Sequence, residues 1–208
     1  TPYLFPFSQT LLTDYFLAIA DTAERPVYLY DLPAVCHVSI DMDTYVRLAK
    51  HPNIYGAKIS GRASFARQLI DRLGDTFRVI VAEPELLDVL LRHRVMEHLD
   101  GMFAIAPQWV MALGHAAMEQ DWATAADYQQ KITSLRNVLA GASSDMGAFT
   151  AMMNARGISG TFHPRPFQAL TDIEKVALVS HPAMVELIGN AQRATVPEAK
   201  TFNAPAVR

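Results

Sequence analysis

Between residues 26 and 119 the chain alternates short apolar runs with longer amphipathic segments, joined by connections of only a few residues. This alternation constrains the fold more than any single motif. Strand, turn, helix and strand repeating at that spacing yield a parallel sheet covered by helices. Strands are predicted at 26–30, 54–58, 77–81 and 101–105. Helices are predicted at 8–23, 41–50, 62–73, 84–95 and 107–119. Ser8 is placed to cap the first of them, whose face is read as Leu12, Tyr15, Phe16 and Ile19. Met42, Tyr45, Val46 and Ala49 share the same spacing in the second, and Phe65, Leu69 and Leu73 line up in the third. Pro84 and Pro107 suit first helical positions.

After Gln120 the strand pattern stops. A helix at 121–140 has Trp122, Ala126, Ile132, Leu135 and Leu139 as its expected buried side, and Gly141 ends it. A helix at 145–156 is closed by Gly157. Thr171 and Glu174 have capping-box spacing for a helix at 172–180, and Pro182 starts another. The expected organisation is therefore βα units over 1–120, helices over 121–189 and an extended tail over 190–208.

Composition narrows the function. Half of the 208 residues are hydrophobic and the net charge is −3, with no Lys/Arg-rich run to meet nucleic acid. No apolar stretch approaches the ~20 residues of a membrane span. The start, Thr1-Pro2-Tyr3-Leu4-Phe5, lacks the charged segment of a signal peptide. Cys36, the single cysteine, fits a reducing cytoplasm and reads as a small buried hydrophobe. None of the seven histidines belongs to a recognisable ligand set, so neither metal nor cofactor is expected. No glycine-rich loop follows a strand, which weighs against a nucleotide-binding protein.

Chemistry concentrates in Ile54-Tyr55-Gly56-Ala57-Lys58-Ile59-Ser60-Gly61, a short apolar strand carrying an amine near its end. Desolvation favours the neutral amine, and a neutral amine attacks carbonyl carbons. A lysine reaching back to water from a strand edge is the plainer alternative. Tyr30 ends the preceding strand. If the two strands pair, its hydroxyl and the Lys58 amine form a proton-relay pair suited to iminium chemistry. Alternatively, Tyr30 caps the core with its hydroxyl in water.

These segments together resemble the dihydrodipicolinate synthase/N-acetylneuraminate lyase family of class I aldolases. The resemblance rests on Thr1-Pro2-Tyr3-Leu4-Phe5-Pro6-Phe7-Ser8 and on the tyrosine turn Leu29-Tyr30-Asp31-Leu32-Pro33. It also rests on Tyr55-Gly56-Ala57-Lys58-Ile59-Ser60, on Arg156-Gly157-Ile158 and on His163-Pro164-Arg165-Pro166. It implies a TIM (β/α)8 barrel, of which this chain supplies about the second half, followed by helices. Lys58 would form a Schiff base with pyruvate or a 2-keto acid, Tyr30 would shuttle the proton, and Ser60 would touch a substrate oxygen. The expected activity is that of a lyase or aldolase, or a related dehydratase, working without cofactor as a cytoplasmic homo-oligomer. A non-catalytic barrel relative with an assembly role is the alternative.

Departures from the family pattern shape the expected substrate. Val35 stands where dihydrodipicolinate synthases place a carboxylate-binding arginine, which favours a sugar acid. His37 replaces a usual glycine, Leu4 replaces a tyrosine, and Ser60-Gly61-Arg62 differs from the usual Gly-Asp pair. Glu83 either contacts a polyol or favours the helix N-terminus after it. A whole barrel needs about 250 residues. The missing strands are therefore expected either in a longer protein or in another chain.

Overall fold

The computed structural model describes residues 1, 2 and 5–191; Leu4 and most of the predicted tail lie outside the described residues. The chain divides into two compact units, Thr1–Ile132 and the residues from Thr133 onward.

The first unit opens with α1 (Gln9–Thr22), capped by the Ser8 hydroxyl, which accepts from the Leu11 N–H at 3.3 Å. Strand β1 (Val27–Asp31) and the single turn α2 (Pro33–Cys36) follow. Next comes α3 (Met42–Leu48), whose cap is the Asp41 carboxylate on the Thr44 N–H at 2.7 Å. Then come β2 (Ile54–Ser60), α4 (Ala63–Leu73), β3 (Arg78–Ala82), α5 (Leu87–Arg92), α6 (Met102–Ile105) and α7 (Pro107–Met118). All three strands run parallel in the order β1-β2-β3. Leu29, Ala57, Ile59, Val79 and Val81 are buried in one core with Leu12 and Phe16 of α1, Tyr45 and Leu48 of α3, and Ala66 and Leu69 of α4.

The structure corrects several sequence expectations. The run Met102–Ile105 is a helical turn, not a strand. The Asp100 carboxylate accepts its first N–H at 2.9 Å, and Pro107 begins the next helix two residues later. The chain meets the sheet slightly earlier, in one parallel bridge between Val81 and His98. The helix read at 84–95 is a 3₁₀ turn, Pro84–Leu86, followed by α5. On α1 the core side is Leu12, Phe16 and Ala20, while Tyr15 and Ile19 are exposed. On α3 it is Thr44, Tyr45 and Leu48. Cys36 is only half-buried, and its thiol donates to the Thr1 carbonyl oxygen at 3.3 Å.

His98 gives the first unit a pH response. Its Nε2 lies 2.7 Å from the Val95 carbonyl oxygen, and burial pushes the imidazole below its ordinary value of 6.5. The unfolded chain therefore binds the proton more readily than the folded one. The stability His98 contributes is complete above about pH 6.5 and is lost as the pH falls from there toward the depressed folded value. Urea midpoints taken from about pH 8 down to about pH 5 are expected to fall through that window. His98→Gln should flatten the slope; an unchanged slope would assign it to other groups.

The division between units falls within α8 (Trp122–Ala140), whose buried residues are Ala125, Gln129, Ile132 and Leu135. Ala126, expected inside, is exposed. The second unit continues with α9 (Asp145–Ala155), α10 (Asp172–Val179) and α11 (Pro182–Ala191). The capping box of α10 forms as expected: the Thr171 hydroxyl accepts from the Glu174 N–H at 3.3 Å, and the Glu174 carboxylate accepts from the Thr171 N–H at 2.8 Å. Gly147 lets α9 approach the segment that follows it, because a Cβ there would collide with the Gln168 carbonyl oxygen. The Thr150 hydroxyl ties that segment down, accepting from the Phe162 N–H at 3.1 Å and pairing with His163 Nδ1 at 2.8 Å.

Candidate active site

The site is built by strand register. Tyr30 of β1 pairs with Lys58 of β2, which in turn pairs with Ile80 of β3. Neighbouring strands lie about 4.8 Å apart, so side chains on one rung and one face must meet. Here they do: Lys58 Nζ donates to Tyr30 Oη at 3.1 Å and lies 4.3 Å from the centre of the ring. Lys58 is half-buried, and Tyr30 keeps 42 % of its surface exposed. Both groups stand toward the carboxyl ends of their strands, where active sites of βα folds collect.

Gly56, two residues before Lys58, is a close-packed position. It pairs with Tyr28 and Arg78, and a Cβ on it would fall on the Arg78 carbonyl oxygen and lie 2.8 Å from Cε1 of Tyr28. Arg78 is held by Glu97, with Nε to Oε1 at 3.0 Å and Nη2 to Oε2 at 2.9 Å.

Ser60, two residues beyond Lys58, is 8 % exposed, and its hydroxyl makes no hydrogen bond within the structure. Buried hydroxyls almost always have a partner, so an unpaired one two residues along the strand from Lys58 stands out. Glu83 lies just past β3. Its carboxylate accepts from the Ala63 N–H at 3.1 Å and so caps α4, the helix before it rather than the one after. Burial raises its carboxyl above the usual range; the Ala63 N–H opposes that shift, and the charges of Glu85 and Asp100 add to it.

His37 occupies a left-handed backbone position, φ 56°, as the C-cap of α2, and its N–H donates to the Pro33 carbonyl oxygen at 2.9 Å. A glycine adopts that conformation freely, and histidine is among the residues that tolerate it. The side chains of His37 and Val35 are exposed.

One part of the neighbourhood is not visible in the sequence. Asp31, fully buried, accepts from Arg62 Nη1 at 2.7 Å and from Tyr45 Oη at 3.3 Å. Arg62 Nη1 also donates to the Ile40 carbonyl oxygen at 3.0 Å. Burial pushes the Asp31 carboxyl up, and the adjacent guanidinium pulls it back. The only sequence signal was a charged residue directly after an apolar strand. Among the described residues no group of three or more His, Cys, Asp or Glu is arranged to hold a metal, and no helix is long and apolar enough to cross a membrane.

Lys58 and Tyr30 thus share one rung of a parallel βα sheet, two residues from Gly56 and from the unpaired Ser60 hydroxyl on the same strand. The chain belongs to the dihydrodipicolinate synthetase family, whose model matches residues 1–181. It is 32 % identical over 140 residues to the 4-hydroxy-tetrahydrodipicolinate synthase of Exiguobacterium sibiricum, covering 67 % of this chain and 48 % of that protein. Among solved structures it is similar to the chloride-inhibited dihydrodipicolinate synthase of Acinetobacter baumannii complexed with pyruvate. That likeness has a TM-score of 0.75 and 26 % identity, over 92 % of this chain and 64 % of the other. A variant of the 2-keto-3-deoxygluconate aldolase of Sulfolobus solfataricus shares the fold, with a TM-score of 0.80 at 18 % identity, over 92 % and 64 %. The fold is thus about the second half of a TIM (β/α)8 barrel with C-terminal helices, and the chain spans about half the length of the first of these relatives.

Proposed function

We propose that this chain carries the reacting lysine of a class I lyase or aldolase that acts on pyruvate or a 2-keto-3-deoxy sugar acid. One observation carries the reading: the 3.1 Å contact between Lys58 Nζ and Tyr30 Oη on a shared rung of the sheet. Neutral Lys58 attacks the keto carbon, the carbonyl oxygen leaves as water, and a carbon–nitrogen double bond remains. The resulting iminium accepts the electron pair released when the bond between its α and β carbons breaks, while the β-hydroxyl gives up its proton and the β carbon leaves as an aldehyde. In the reverse direction its enamine adds to an aldehyde. Tyr30 moves the proton between the amine and the departing oxygen. The unpaired hydroxyl of Ser60 receives a substrate oxygen. Glu83 caps α4 through one carboxylate oxygen and is kept as a candidate contact for a substrate hydroxyl. Val35 supplies no cation for a second substrate carboxylate, which favours a sugar-acid substrate over the one named for the synthases.

Borohydride trapping tests the reading directly. Incubation with pyruvate and borohydride reduces the iminium to a stable secondary amine, visible by intact mass and located by peptide mapping. An adduct on Lys58 is expected. A folded protein that yields none, or an adduct on another lysine, sinks the assignment and leaves a non-catalytic barrel as the alternative.

A further inference from the structure

The ion pair between Asp31 and Arg62 lies outside the chemistry just described. Its members are nearly or fully enclosed, with side-chain exposures of 0 % for Asp31 and 22 % for Arg62. The guanidinium stacks over Phe65, 3.6 Å from the ring centre. Oδ1 of Asp31 has no hydrogen-bond partner. A buried pair with an oxygen left unpaired is an inefficient way to stabilise a fold, since apolar residues of similar volume often do as well or better. Stability is therefore a poor account of its presence.

Its location offers a better one. Asp31 is the last residue of β1 and directly follows Tyr30. Arg62 comes four residues after Lys58, just past Gly61, whose φ of +72° turns the chain. The β1–β2 ladder ends at the Asp31–Ile59 rung, one step beyond the Tyr30–Lys58 rung. Where backbone pairing ends, strands are free to splay. The ion pair closes that gap, joining the end of β1 to the turn after β2 at 2.7 Å, while Tyr45 and the Ile40 carbonyl hold it in place. Because side chains alternate along a strand, anchoring Asp31 on one face fixes the backbone that aims Tyr30 from the other.

We infer that Asp31 and Arg62 are positioning residues that set the Tyr30–Lys58 contact; the inference rests on the Schiff-base reading above. Asp31→Ala alone would strip Arg62 of its counter-ion, leaving only the Ile40 carbonyl and the Phe65 ring, and is expected to destabilise the unit. The deciding variant is Asp31→Asn/Arg62→Met, which removes both charges and leaves no isolated ion. It should melt close to wild type yet form the borohydride-trapped pyruvate adduct roughly 10- to 100-fold more slowly at saturating pyruvate. The half-saturating pyruvate concentration should stay within about two-fold, because the substrate contacts are intact. Arg62→Lys, which keeps a cation for Asp31, should recover most of the rate.

A double variant as fast as wild type overturns the inference and leaves the Schiff-base reading standing. A rise in half-saturation that accounts for the whole loss overturns it too, since the pair would then act on binding. If wild type itself forms no adduct, both fall together, and the variants are not needed to show it.

Discussion

Replacing Lys58 with alanine is expected to abolish pyruvate trapping and to lower turnover by on the order of 10³- to 10⁶-fold, the scale seen when a covalent nucleophile is removed. The fold should survive. Lys58 is half-buried and meets the hydroxyl and ring of Tyr30, so the loss involves few contacts and leaves no buried charge. Lys58→Arg should be equally inactive despite keeping the charge, because guanidinium does not deprotonate to a nucleophile. Tyr30→Phe keeps the ring and removes only the proton carrier, so a smaller loss of roughly 10²- to 10⁴-fold is expected. Turnover measured alongside the melting temperature separates these effects. A Lys58→Ala protein that still traps pyruvate or still turns over would remove the lysine from the mechanism.

The second large effect is structural. Gly56→Ala should destabilise the first unit by about 3 kcal/mol, or roughly 10 °C in melting temperature. The new methyl would meet the backbone oxygen of Arg78 and, at 2.8 Å, the ring of Tyr28. The ring can turn away. The carbonyl oxygen cannot retreat without disturbing the β2–β3 ladder around the Gly56–Arg78 rung. Gly114→Ala is the natural control: it lies inside α7, a methyl there meets nothing within 4 Å, and alanine is the better helix former. That change should be neutral or stabilising by up to about 1 kcal/mol. If both substitutions melt alike, close packing at Gly56 is not what requires the glycine.

Much of this arrangement was legible in the sequence, for identifiable reasons. Strands β1, β2 and β3 are apolar runs bounded by turn residues, and the helix caps at Ser8 and Thr171 use side chains whose chemistry is local. The Tyr30–Lys58 pairing followed once both were placed near strand ends. The errors occurred where local signals were balanced or contacts were distant. A five-residue apolar run such as 101–105 does not distinguish strand from helix by periodicity. The true sheet contact at His98 was hidden among charged neighbours. On α1, Leu11, Tyr15 and Ile19 form a second apolar stripe beside Leu12, Phe16 and Ala20, and only tertiary packing chooses between them. The Asp31–Arg62 pair joins residues 31 apart, and Glu83 reaches back 20 residues to Ala63. Such contacts carry no local periodicity.

The shared rung of Tyr30 and Lys58 bears on how such a protein can diversify. Their spacing is dictated by main-chain hydrogen bonding between two adjacent strands, not by any loop. Exposed residues that follow β1, such as Ala34, Val35 and His37, can therefore change without moving the Tyr30–Lys58 rung, whereas Ile40 and Glu83 hold Arg62 and α4 and are not free in the same way. Substitutions there would alter what approaches the Tyr30–Lys58 rung while leaving the rung itself intact. For an engineer, this separates two design variables: specificity is to be sought in the loops, and the ladder beneath them is best left untouched.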